Sequence, residues 1–235
     1  GIIEKEDQKF LATGILAGII TIPIGAFVGG LVAGFEVMMV LRNLVPIIIF
    51  AVVIALGLLK FENAMIKGFT YFGKGVVIVI TLGLAAAIVE ALTGIVVIPG
   101  MKPISEGIEI VGDIAIVLAG AFPLVFVITK VFNKPLMALG KVLGMNDVSA
   151  AGLVASLANC IPMFGMMKDM DNRGKIINVA FSVSAAFVFG DHLGFTAGFN
   201  SNMITPMIVA KLVGGITAVL LAMVIANKTL KKENV

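Results

Sequence analysis

Asp191 and His192 are the residues in this chain best placed to do chemistry. They adjoin each other within an apolar stretch, and His192 is the single histidine of the 235 residues. An ionisable group in such surroundings is costly unless it is paired or hydrated, and it usually marks a route for a substrate or a proton. The carboxylate offers a counter-charge to a cation. A neighbouring histidine changes charge near neutral pH and, once protonated, competes with any other cation for Asp191. Gly190, Gly194 and Gly198 recur at four-residue spacing. That spacing gives a continued helix one bare face and equally permits unwinding. Asn200 and Asn202 extend the polar cluster. The plainer alternative has Asp191 capping a helix and His192 resting at a polar interface.

Asn159 and Pro162 form a second centre in an uncharged run. Proline removes a backbone donor and frees a carbonyl one turn earlier, where Asn159 could pair with that carbonyl or with a ligand. The alternative is a simple kink repaired by neighbouring helices. Asn178 and Ser182 share a helical face at i,i+4, suited either to bonding between helices or to lining a pathway. Glu90 lies near the end of its apolar run and reads as an interfacial charge. Gly14/Gly18, Gly25/Gly29 and Gly30/Gly34 read as close helix packing; neither a preceding strand nor a following Lys-Ser/Thr supports a phosphate loop. Enzymatic chemistry is poorly provided for. One cysteine (Cys160) and one histidine cannot assemble the usual zinc site, and no Gly-x-Ser-x-Gly elbow is present. No catalytic residue, metal or cofactor is assigned.

The elements that must position these groups follow from composition. Hydrophobic residues make up 60% of the chain, charged residues 13%, and mean hydropathy is +1.13. Soluble domains run at about 45–50% apolar and about 25% charged, so most of the outer surface must face lipid. The net charge of +3 does not indicate nucleic acid, because Lys and Arg sit in short clusters between apolar runs, as at the cytoplasmic ends of membrane spans. Runs near the roughly 20-residue crossing length are Phe10 to Phe35, Asn43 to Leu59, Gly75 to Ile98, Ile108 to Thr129, Val148 to Met167, Ile176 to Gly190 and Thr205 to Asn227. Lys60 to Lys74 reads as an interfacial amphipathic link, and Pro99 to Pro103 as a turn.

Charge then tests the count. The linkers Lys60–Lys74 and Lys130–Lys141 are basic, whereas Glu106, Glu109 and Asp113 make the intervening loop acidic. Spans one to four therefore fit a cytoplasmic N-terminus. Seven full crossings would leave the basic Lys228–Lys232 tail outside, so one run does not cross. Val148–Met167 is expected to enter and return on the cytoplasmic side through its Asn159–Pro162 break, which is tolerable only inside protein or beside water. The expected fold is all-α: a polytopic transmembrane bundle of about six to seven hydrophobic segments, some broken or re-entrant, in one domain over 1–235. Residues 148–167 and 190–205 should each contain an interruption, the two facing a common cavity. The chain opens on Gly1 with no signal peptide before the first apolar run, as expected of a fragment or a processed chain.

Several stretches resemble one family. Ala151-Gly152-Leu153-Val154-Ala155-Ser156-Leu157-Ala158-Asn159-Cys160-Ile161-Pro162-Met163-Phe164-Gly165-Met166-Met167-Lys168 resembles the ethanolamine permeases of bacterial ethanolamine-utilisation operons, and so does Val183-Ser184-Ala185-Ala186-Phe187-Val188-Phe189-Gly190-Asp191-His192-Leu193-Gly194-Phe195. Leu16 to Gly25, Ile80 to Ala87 and Lys134 to Met137 extend the likeness in order along essentially the whole chain. Members of that family are longer, so these residues correspond to roughly the last three-fifths, with a shorter link after Phe35.

The resemblance implies a multi-pass protein of the bacterial cytoplasmic membrane that takes up ethanolamine for a cobalamin-dependent ammonia-lyase. The residues suit that substrate, a small ammonium ion with one hydroxyl. Asp191 would neutralise the charge, with His192 beside it, and Phe195 could add a cation–π contact. Asn159, Asn200 or Asn202 could hold the hydroxyl, while Pro162, Gly190, Gly194, Asn178 and Ser182 would shape the pathway or its helix breaks. Transporters commonly set such groups at breaks near the midplane. The implied partners are ethanolamine and the lipid bilayer, with self-association into a homo-oligomer open and nucleic acid excluded. A membrane-embedded assembly protein and a small-cation channel are the competing readings.

Overall fold

The computed structural model describes residues 5–131 and 133–233, and these form a bundle of helices. In chain order they are α1 (Gln8–Val32), α2 (Val37–Thr93), α3 (Ile104–Val131), α4 (Asn133–Leu143), α5 (Asp147–Ala158), α6 (Cys160–Met166), α7 (Asn172–Ala185), α8 (Asp191–Phe199) and α9 (Ile204–Glu233). The centre is the triplet α1, α7 and α9, whose backbones approach closely because glycine lines the contacts. An ideal Cβ on Gly14 or Gly18 would lie 2.6 Å or 2.5 Å from the Cβ of Val179 or Val183 on α7. The Cβ of Gly25 would lie 2.3 Å from the Ala210 carbonyl of α9. Thr21 crosses the same contact, its hydroxyl 2.8 Å from the Gly18 carbonyl and 3.2 Å from that of Gly214. The glycine pairs of α1 are thus packing faces, as their spacing indicates.

These contacts also fix direction. Gly14 and Gly18 meet progressively later residues of α7, so α1 and α7 run parallel; Gly25 and Gly29 meet Gly214 and then Ala210 and Pro206, so α9 runs back. Lys9, Lys60, Lys130, Lys134, Lys141, Arg173 and Lys228 consequently gather at one end, while Glu36, Glu90 and Glu106 lie at the other. The positive-inside rule assigns the basic end to the cytoplasm. Among the described residues four helices are long and apolar enough to cross a membrane: α1, the two limbs of α2 (Val37–Phe61 and Asn63–Thr93), and α9 with the turn before it (Ser201–Leu230).

Three segments depart from the sequence expectation. Lys60–Lys74 is not a separate interfacial link but part of α2, which bends at Phe61 (φ −137°, ψ 41°) into the limbs Val37–Phe61 and Asn63–Thr93. The near-helical spacing of Phe61, Met65, Phe69 and Phe72 continues the second limb instead of founding a surface helix. The bend folds the limbs together, since an ideal Cβ on Gly57 would lie 2.7 Å from the Met65 sulfur; a straight helix separates such positions by about 12 Å. Amphipathic α4, with Lys134 and Lys141, is the short helix at the basic end. Finally, the interruption expected within 190–205 is present at Asn200, where α8 ends in extended backbone, and a further break not expected from the sequence precedes it over residues 186–190.

A polar network closes the basic end. The Asn146 side chain caps α5 by accepting the Ser149 N–H at 2.9 Å, and Asp171 caps α7 by accepting that of Gly174. The two caps are joined: the Asn146 N–H donates to Asp171 at 2.8 Å and its side-chain amide to the Asp169 carbonyl at 3.0 Å. The segment between them therefore leaves and returns at the same end. Arg173 ties the network to the Leu143 carbonyl and to Asn227 of α9.

One buried ion pair fixes the start of α1 to α7. The Lys175 ammonium lies 2.5 Å from the Asp7 carboxylate and 5.7 Å from the centre of the Phe10 ring, with Asp7 only 3% exposed and Lys175 9%. Removing one partner strands the other charge, at about 3–5 kcal/mol. Asp7→Ala should therefore lower the denaturation midpoint of the purified protein sharply. The double change Asp7→Leu with Lys175→Met should recover most of the loss.

Candidate site at the paired helix breaks

The re-entrant hairpin is α5, a turn at Asn159, and α6. Asn159 adopts extended backbone (φ −157°, ψ 131°), and its side chain accepts the Ile161 N–H at 2.8 Å, starting α6. Pro162 falls in the first turn of α6, where a missing N–H costs nothing. The carbonyl four residues before it belongs to Ala158, at the hairpin tip. Opposite stands the break between α7 and α8. The Phe187 N–H donates to the Ser156 carbonyl and the Phe189 N–H to the Leu157 carbonyl, both at 2.9 Å. Gly190 packs so closely on the hairpin that an ideal Cβ would lie 2.0 Å from the Ala158 carbonyl. The two interruptions meet directly, backbone to backbone.

Four helix ends converge there. α5 and α7 end at the junction, presenting the partial negative charge of their last carbonyls. α6 and α8 begin there, presenting partial positive charge from free amides. Asp191 is the first residue of α8, on that positive end, with its carboxylate exposed. His192 is also exposed, its ring tilted against that of Phe187 at 5.4 Å between centroids. Phe187 has φ +62°, alone among described non-glycine residues in the left-handed region. Such backbone is held only by its surroundings and is typical of functional junctions.

The other candidate residues separate into groups. Gly194 and Gly198 do form a bare face of α8, set against Ile114 and Asp113 of α3. Phe195 faces outward, its ring stacked on Phe199 at 5.6 Å. Asn200 accepts the Asn202 N–H at 3.2 Å just beyond α8, roughly 13 Å of helix from Asp191. Those amides therefore stand apart from Asp191, beyond the far end of α8. Asn178 is fully buried between α5 and α7, donating to the carbonyls of Ser149 (2.9 Å) and Gly174 (3.0 Å). Ser182 donates to the Val179 carbonyl at 2.9 Å.

Sequence reasoning passed over two residues, Phe187 in the break itself and Lys211 on α9. Phe187 gave no signal, since neither glycine nor proline stands in Val183–Phe189. Lys211 did, as a lone charge in the apolar run of α9. It is partly buried and lies within electrostatic reach of His192.

Comparison with known proteins places the chain. It matches the family described as "Ethanolamine utilisation protein, EutH" over residues 1–225. It is 69% identical to the "Probable ethanolamine permease EutH" of Listeria monocytogenes serotype 1/2a (strain 10403S), covering 99% of this chain and 62% of that protein. It is 52% identical to the protein of the same name from Escherichia coli (strain K12), covering 97% and 62%. The "Uncharacterized protein YxeR" of Bacillus subtilis (strain 168) is 54% identical over 93% of this chain and 59% of its own length. No solved structure matches. The chain thus spans about three-fifths of the length of these curated relatives, and it is a multi-pass membrane protein belonging to the EutH ethanolamine-utilisation family.

Proposed function

We propose that this chain forms one transport domain, over residues 1–235, of a bacterial cytoplasmic-membrane permease that takes up ethanolamine as its ammonium ion, with the paired breaks as the binding site. The observation that carries the reading is the meeting of two interrupted helices, backbone to backbone, with Asp191 beside them. Irregular backbone persists in a membrane only where protein or water satisfies it, and paired breaks are where transporters bind ions and polar solutes. The carbonyl ends of α5 and α7 favour a cation, Asp191 on the first turn of α8 supplies a carboxylate beside them, and Asn159 supplies an amide for the hydroxyl. The relatives' names point to the same substrate.

Uptake of labelled ethanolamine into cells expressing the complete gene product tests this reading. Uptake should saturate and be competed by unlabelled ethanolamine. A linear, non-competable flux would indicate a channel. Absence of flux with the protein present in the membrane would indicate an assembly role.

A further inference from the structure

Lys211 has no evident part in holding helices together. It is the only charged residue between Ile204 and Ala226, and it sits seven residues into α9, about 10 Å along the helix axis. Among the described residues it makes no ion pair or hydrogen bond. Gly215, one turn further on the same face, is packed against α7: its ideal Cβ would lie 2.6 Å from the Ala185 Cβ and 3.0 Å from the Phe181 ring. The Lys211 face of α9 therefore looks onto the end of α7 and the break that follows. That break leads directly into Asp191 and His192 at the start of α8, and the Lys211 ammonium lies within electrostatic reach of His192. A desolvated lysine in a span is expensive and normally marks a pathway.

A lysine is a puzzling feature beside a site for a cation. A simple cation trap needs only Asp191, and a second charge of the opposite sign weakens it. The puzzle resolves if the ligand has two unlike ends. Lysine carries donors and no acceptor, so it can serve a hydroxyl oxygen while repelling an ammonium.

We propose that Lys211 is the specificity-determining residue of the paired-break site: it donates to the substrate hydroxyl while Asp191 takes the ammonium, and it excludes ligands that are cationic at both ends. The inference rests on the reading of this site as an ethanolamine route. Ethanolamine then binds in one orientation, with its charge toward α8 and its hydroxyl toward α9. Ethylenediamine, the same size with an ammonium in place of the hydroxyl, meets like charge at Lys211.

The test is competition against labelled ethanolamine uptake by the complete gene product, in acidic medium where both amines of ethylenediamine are protonated. In the native protein ethylenediamine should compete at least about tenfold more weakly than unlabelled ethanolamine, as expected for a like charge within a few ångströms at partial screening. Lys211→Gln should narrow that ratio by about tenfold, and Lys211→Arg should keep the exclusion. Should the glutamine variant fail to reach the membrane, Lys211→Met is read in the same way. Ethanolamine uptake with an unchanged ratio in the neutral variants would overturn the role of Lys211 alone. No ethanolamine uptake by the native protein would overturn the functional reading and this inference with it.

Discussion

Asp191→Asn is expected to leave expression and membrane insertion intact while raising the half-saturation concentration for ethanolamine roughly ten- to hundredfold. The magnitude follows from the bond that is lost, since a hydrogen bond to a charged group contributes about 1.5–3 kcal/mol. The competing role predicts something different in kind. As the first residue of α8, Asp191 also interacts with the helix dipole, which is worth about 0.3–1 kcal/mol at an exposed position. A residue that only capped α8 would show a slightly lowered melting temperature and unchanged uptake. Measuring both on the same variant separates the two. Normal uptake with a lowered melting point would return Asp191 to a structural role and remove the carboxylate from the proposed site.

Gly190→Ala should be more damaging than its single added methyl suggests. The new Cβ would sit 2.0 Å from the Ala158 carbonyl oxygen and 3.0 Å from its carbon, and backbone atoms cannot swing away as a flexible side chain would. The two breaks must move apart, straining the hydrogen bonds from Phe187 to Ser156 and from Phe189 to Leu157. Each buried polar group left unpaired costs about 1–3 kcal/mol, so uptake should fall to background. Insertion should survive, because the long apolar helices that drive it are untouched. Gly83→Ala on the second limb of α2, where nothing lies within 4 Å, is the matched control. Alanine there favours the helix by about 1 kcal/mol and should leave uptake as it was. Equal activity of the two variants would show that the breaks need not touch.

Much of the architecture was legible because it rests on local or one-dimensional signals. Apolar length fixed the long helices. The charge conflict at Lys228–Lys232 identified Val148–Met167 as the run that turns back, and Asn159 with Pro162 located the turn. The Gly14/Gly18 and Gly25/Gly29 spacings reported close packing. The break over 186–190 was missed for a physical reason: it lies where the amides of Phe187 and Phe189 find carbonyls on another element, and a sequence window contains only one side of that pairing. The bend at Phe61 and the positive φ of Phe187 are likewise imposed from outside their segments. The Asp7–Lys175 pair joins residues 168 positions apart in the chain, and neither is unusual in its own neighbourhood. Lys211 was readable, but it was absorbed into an apolar run by averaging.

The hairpin made by α5 and α6 also constrains how the protein is made. Its tip exposes the Ser156 and Leu157 carbonyls, which are matched by the amides of Phe187 and Phe189, a segment that leaves the ribosome later. Until that segment arrives, pushing the tip into lipid would bury polar backbone with no partner, at several kcal/mol per group. The α5–α6 stretch cannot be committed to the bilayer in the order in which it is translated. It is expected to settle into place only after the segment between α7 and α8 has arrived. Assembly would then end with an earlier piece sliding into a slot that later pieces have built.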